Sequence, residues 1–186
     1  MPSMNEARIL IMATNGFEQS ELMEPLNKLR GAGATVHVAT LDGKPIKGWK
    51  DKNWGDSVDA DLKISDVKAD DYIALVLPGG QMNPDILRAD ETAVQKVKDF
   101  VTGNKIVAAI CHAPWLLIEA GVMRGREATS YHSIKTDMTN AGAKWADKEV
   151  AIDNGIITSR SPKELDAFIS KIIEEVKEGE HQRRAA

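Results

Sequence analysis

A single cysteine among 186 residues leaves no partner for an internal disulfide, and a reducing cytoplasm is the expected setting. The N-terminal residues 1–8 lack the basic-then-apolar pattern of a secretory signal. No apolar run approaches the length that crosses a bilayer, so no membrane partner is expected. A formal net charge of -4 and a pI near 5.6 give no basic excess, and a stable nucleic-acid partner is not expected. Internal repeats and low-complexity linkers are lacking. So is a phosphate-binding loop, because Lys and Ser/Thr do not follow a glycine run at the required spacing and no G-x-G-x-x-G follows the first apolar run. The four histidines are scattered and lack zinc-site spacing; neither a metal nor a cofactor is expected.

What is present, 42% hydrophobic and 28% charged residues, fits one domain with a sizeable core. Its expected extent is residues 1–176, followed by a polar tail at 177–186 that is expected to be disordered. Short β-branched runs alternate with longer amphipathic stretches, which argues for an α/β fold around a mainly parallel sheet. The runs predict strands at 8–13, 35–40, 72–77, 105–110, 128–130, 150–152 and 156–159. The last two are joined by Asp153-Asn154-Gly155, a hairpin turn in composition. Helices are predicted at 18–30, 92–102, 114–120, 134–141 and 162–176. The first of them ends at Gly31 and Gly33, where a left-handed cap needs glycine. Residues 41–67 read as a hairpin or irregular excursion, with Trp49 and Trp54 favoured as its anchors on the core over a ligand-binding role.

The lone cysteine stands where the apolar run Val107-Ala108-Ala109-Ile110 meets His112-Ala113-Pro114 and a helix start. A strand-to-helix turn lifts such a side chain above the carboxyl ends of a parallel sheet, and the positive helix N-terminus favours thiolate. Cys111 is therefore the candidate nucleophile. Gly79-Gly80 ends another strand at the same sheet edge and either supplies oxyanion-binding N–H groups or only permits a tight turn. Glu18 either complements the dipole of the helix it begins or faces Cys111 as a protonated carboxyl. His112 is the first candidate for a base, with capping or packing as its alternative. His132 follows a strand and reads more readily as a surface residue than as an auxiliary proton carrier.

Taken in order, Gly16-Phe17-Glu18-Gln19-Ser20-Glu21-Leu22, Leu77-Pro78-Gly79-Gly80, Ala109-Ile110-Cys111-His112-Ala113-Pro114, Thr129-Ser130-Tyr131 and Thr158-Ser159-Arg160-Ser161-Pro162 closely resemble the DJ-1/ThiJ/PfpI superfamily. The best match is its PfpI-like branch, whose members are often labelled intracellular proteases or general stress proteins. The resemblance covers residues 8–176. It implies a flavodoxin-like three-layer sandwich with Cys111 on a nucleophile elbow, Glu18 as the buried acid bonded to Cys111, and His112 as its partner. Gly79, Gly80 and the His112 backbone N–H are the oxyanion donors under the same reading. It also implies that an acidic residue of the neighbouring subunit orients His112. Asp85 matches that position, in a loop one residue longer than in some relatives, many of which carry Glu there; without the resemblance Asp85 reads as an exposed acid at a helix start. A homodimer, or a hexamer as in some relatives, follows.

The implied activity is cysteine-dependent chemistry on methylglyoxal or its early adducts with proteins or nucleotides, of deglycase or cofactor-independent glyoxalase type. A PfpI-type peptidase and a redox-responsive stress protein or chaperone with an oxidisable cysteine are the alternatives. A glutamine amidotransferase fits less well, because no late His-x-Glu segment exists.

Overall fold

The computed structural model describes residues 3–179. In chain order its elements are β1 (Arg8–Met12), β2 (Phe17–Glu18), α1 (Gln19–Gly31), β3 (Thr35–Thr40), β4 (Ile46–Lys50), β5 (Asn53–Val58), β6 (Leu62–Lys63) and β7 (Ala74–Leu77). There follow α2 (Met82–Arg88), α3 (Glu91–Thr102), β8 (Ile106–Ile110), α4 (Pro114–Glu119), β9 (Glu127–Ala128), α5 (Lys135–Asn140), β10 (Lys144–Trp145), β11 (Val150–Asp153), β12 (Ile156–Ser159) and α6 (Leu165–Glu178). Seven strands form one sheet in the order β11-β12-β8-β7-β1-β3-β6. Every pairing in it is parallel except β11 with β12.

The central strands β7 and β8 are buried at every residue, which explains why they read as unbroken apolar runs rather than alternating ones. One sheet face packs on Leu22, Leu26 and Leu29 of α1 and Phe168, Ile169 and Ile172 of α6. The other packs on Leu87 of α2, Val97 and Phe100 of α3, Leu116 of α4 and Met138 of α5. Two helical layers thus enclose a parallel sheet, the flavodoxin-like sandwich. Burying each large side chain contributes about 1.5–3 kcal/mol. No helix of the described residues is long and apolar enough to cross a membrane.

Several local expectations change. The run at 128–130 gives only the two-residue β9, which pairs with β10 outside the main sheet. The excursion at 41–67 contains the β4–β5 hairpin, which joins β2 in a separate sheet. Trp49 and Trp54 meet edge to face at 5.4 Å, but Trp54 is 48% exposed, so the pair braces the hairpin instead of anchoring it in the core. Helix α2 lies in a stretch read as a loop, and it agrees with the alternative reading of Asp85 as an exposed acid at a helix start. A 3-10 turn, Pro162–Glu164, precedes α6, and α6 continues through Lys177 and Glu178, two residues assigned to the tail; residues 180–186 of that tail lie outside the described residues. The Asp153-Asn154-Gly155 turn has φ of +47° and +79° at its last two residues, the conformation that a tight hairpin demands.

Candidate active site

Strand β8 ends at Ile110, and Cys111 follows with φ +65°, a left-handed conformation that costs a non-glycine residue on the order of 1 kcal/mol. Three contacts hold it there. Cys111 N–H donates to the Ser159 carbonyl at 3.0 Å, its own carbonyl accepts from Tyr131 N–H at 2.8 Å, and Ala113 N–H donates to the Ile110 carbonyl at 3.0 Å. The elbow therefore rests on the carboxyl ends of β8 and β12, and Cys111 is 6% exposed.

The acid at the sulfur is Glu21, not Glu18. Glu18 closes β2 opposite Trp49, is partly exposed, and its carboxylate accepts from Ser20 Oγ at 3.0 Å. Because α1 starts at Gln19, the residue one turn in is the one carried onto the sheet edge. Glu21 is fully buried. Its Oε2 accepts from Gly79 N–H at 2.7 Å, and its carboxyl lies beside the Cys111 side chain, close enough for each to shift the other's titration. Its Oε1 has no hydrogen-bond partner among the described residues. Burial above all, with the Glu18 charge adding to it, pushes the Glu21 carboxyl up to about 8, against the opposing N–H bond from Gly79. At neutral pH Glu21 is protonated and able to donate toward sulfur.

Burial likewise pushes the Cys111 thiol up, and a Glu21 carboxylate would push it further, while the N–H groups of Gly80 and His112 directed at the sulfur partly offset this. Burial thus acts against the thiolate that the helix N-terminus is expected to favour. Helix α4 has six residues and a correspondingly small field, which desolvation of the buried sulfur outweighs. The resting group is a thiol that needs a base. Gly79 departs from its expected role, because its N–H is committed to Glu21; the donors facing sulfur are Gly80 and His112.

His112 is buried, and its Nδ1 lies 3.1 Å from Cys111 Sγ. Burial chiefly, and the nearby His132 secondarily, hold its pKa below the ordinary histidine value, so the imidazole is a neutral acceptor near pH 7. Tyr131 stacks on it at 4.8 Å and Trp115 meets it edge on at 5.1 Å. His132 is exposed and packs on Tyr131 at 4.4 Å, acting on His112 only through its charge. Asp85, on α2, is exposed and held by Arg88, with Nη2 2.6 Å from Oδ1; no hydrogen bond joins it to His112. Arg88 in turn lies 4.3 Å over the Trp115 ring.

Three contributors escaped sequence reasoning. Besides Glu21 these are Ser133, whose Oγ lies 3.1 Å from His112 Nε2, and Asn83. Asn83 is fully buried and ties the glycine turn to the first loop, accepting from Thr14 N–H at 2.8 Å and donating to the Pro78 carbonyl at 2.8 Å. The one signal that could have found any of the three is the place of Glu21 on the apolar stripe of α1. A cavity of about 530 Å³, lined by Tyr131, His132, Arg160, Ser161 and Lys163 among others, adjoins His112 through Tyr131. Among the described residues, the acidic, His or Cys groups close enough to share a cation are Glu174, Glu175 and Glu178 on α6, away from Cys111.

The model of the DJ-1/PfpI family matches residues 7–175. The chain belongs to the DJ-1/PfpI family. It is 40% identical to Deglycase PfpI of Pyrococcus furiosus over 170 residues, which is 91% of this chain and 99% of that protein. It is 42% identical to Protein/nucleic acid deglycase 2 of Escherichia coli over 163 residues, 87% of this chain and 92% of that one. Among solved structures, Drosophila melanogaster DJ-1beta superposes with a TM-score of 0.84 at 31% identity, covering 92% of this chain and 90% of that chain. The PfpI-like branch is the part of the family to which this chain is most akin, and the sandwich described above is the family's fold.

Proposed function

We propose that this chain is a cysteine-dependent deglycase that acts on early methylglyoxal adducts of protein or nucleotide groups and releases lactate. The observation that carries the reading is the convergence on Cys111 Sγ of a neutral base, His112 Nδ1 at 3.1 Å, a protonated carboxyl, Glu21, and the N–H groups of Gly80 and His112. The names of the deglycase relatives point the same way.

His112 takes the thiol proton as Sγ bonds to the adduct's carbinol carbon, and the amine leaves with that proton. Glu21 and the backbone donors stabilise negative charge at sulfur before attack and at oxygen after it. In the resulting hemithioacetal a proton moves from the first carbon to the second through an enediol, so one carbon is oxidised and its neighbour reduced with no outside oxidant. Water then cleaves the thioester, restoring the thiol. The net change is adduct plus water to free amine plus lactate.

Asp85 completes the proposal as a carboxylate offered to the neighbouring subunit of a homodimer or larger ring. Its surroundings on α2 support that role, since Met82 and Ile86 beside it are 36% and 44% exposed. The buried sulfur ranks peptidase action lower, because an extended peptide reaches it poorly. A redox reading keeps one specific support: a protonated Glu21 beside Sγ suits stabilisation of a sulfinate.

Lactate and free amine should form when reduced protein meets methylglyoxal-treated N-acetyl-lysine, with free methylglyoxal followed separately. Both products should be lost in Cys111→Ala and His112→Ala. No lactate from the intact protein would overturn the reading, and ready peroxide oxidation of Cys111 in that case would favour the redox role.

A further inference from the structure

We propose that Ser133 is the positioning residue for His112, fixing its tautomer and ring plane so that a neutral hydroxyl of the same chain orients the base at Cys111. The kinetic part of this inference rests on the deglycase reading.

Both ring nitrogens of His112 are engaged, Nδ1 with Cys111 Sγ and Nε2 with Ser133 Oγ, each at 3.1 Å. A sulfur that rests as S–H needs an acceptor, so the productive tautomer leaves Nδ1 bare and carries its proton on Nε2. Ser133 Oγ accepts that proton's hydrogen bond. The alternative tautomer would set Nδ1–H against S–H, two donors facing one another.

The segment that brings Ser133 to this place is itself fastened to the elbow. Tyr131 N–H donates to the Cys111 carbonyl at 2.8 Å, and Ile134 N–H donates to the Tyr131 carbonyl at 3.1 Å, closing the 3-10 turn His132–Ile134. Tyr131 covers one face of the imidazole with an interplanar angle of 26°. One short segment therefore grips His112 by a ring face and by its far nitrogen. Ser133 brings no charge, so it sets the ring's tautomer and plane without itself supplying the carboxylate that Asp85 is proposed to offer from the neighbouring subunit. Among the described residues no carboxylate hydrogen-bonds to His112.

The test uses full-length, reduced protein. Long-range proton–nitrogen NMR of the imidazole reports the tautomer directly, and the rate of Cys111 alkylation by iodoacetamide reports the base without any lactate chemistry. The wild type should show Nε2–H as the single form. Ser133→Ala should give mixed tautomers, slower alkylation and a kcat lower by about tenfold or more with KM nearly unchanged, and Ser133→Thr should restore all of these. Unchanged tautomer and alkylation in Ser133→Ala would overturn the proposal. So would an altered tautomer in Asp85→Asn with none in Ser133→Ala, which would give the orienting role to a carboxylate across an interface. If the wild type forms no lactate, the deglycase reading fails while the NMR and alkylation results still decide the role of Ser133.

Discussion

Glu21→Gln should abolish a loss of stability that the wild type suffers as pH rises from about 4.5 to about 8. The folded protein holds the Glu21 proton up to about 8, against 4.5 for the unperturbed group. Between those values the folded state binds one proton more than the unfolded chain. Stability falls with pH wherever the folded state binds more protons, so the Glu21 contribution is complete below pH 4.5 and gone above pH 8. Holding a proton across one pH unit is worth about 1.4 kcal/mol, and the whole window amounts to a few kcal/mol. Gln cannot ionise, yet its carbonyl still accepts from Gly79 N–H and its amide still donates toward sulfur.

Denaturant unfolding at pH 5, 7 and 9 should therefore show the variant gaining on the wild type at each step. Parallel pH curves would mean that the carboxyl titrates normally despite its burial. Activity should follow a related pattern. Above pH 8 a Glu21 carboxylate opposes thiolate formation, so wild-type turnover should decline there while Glu21→Gln keeps working.

The error over Glu18 shows how far the sequence is legible. In α1 the buried positions Leu22, Pro25, Leu26 and Leu29 follow the helical period, and Glu21 falls in phase with them. A carboxylate on the apolar stripe of a helix is the stronger signal for a buried acid, whereas Glu18 stands at a helix start where acids are ordinary. The main sheet was readable because its central strands are continuous apolar runs and its helices carry clear stripes. Helix α2 was not, since Gly79, Gly80 and Pro84 suggest a loop, and what makes it helical is the burial of Asn83, Pro84 and Leu87. Cys111 was legible from the abrupt change of pattern at Ile110. Its resting protonation was not, because that depends on how deeply the elbow is buried. Ser133 carries no pattern at all, as a serine in a short turn acquires its role only from the placing of His112.

Gly79→Ala should damage both fold and catalysis. A Cβ there would lie 2.5 Å from Glu21 Oε2, 2.7 Å from the Ile110 carbonyl oxygen and 2.8 Å from Cys111 Cβ. The carboxyl is packed, the carbonyl belongs to the central strand β8, and Cys111 is already held at φ +65°, so none of the three yields without moving the elbow. Overpacking of this kind costs about 3 kcal/mol, and relief by displacement would pull Glu21 or Cys111 out of register with His112. A displacement of about 1 Å at the reacting atoms is enough for roughly a hundredfold loss of turnover. Gly31→Ala is the matched control: its added Cβ meets nothing within 4 Å, and the change should stabilise by about 0.4–1 kcal/mol. Thermal unfolding and lactate assays on the two variants separate the cases. Normal stability and turnover in Gly79→Ala would show that the elbow has room to adjust, and would remove close packing of Gly79 against Glu21 and Cys111 as the reason a glycine stands there.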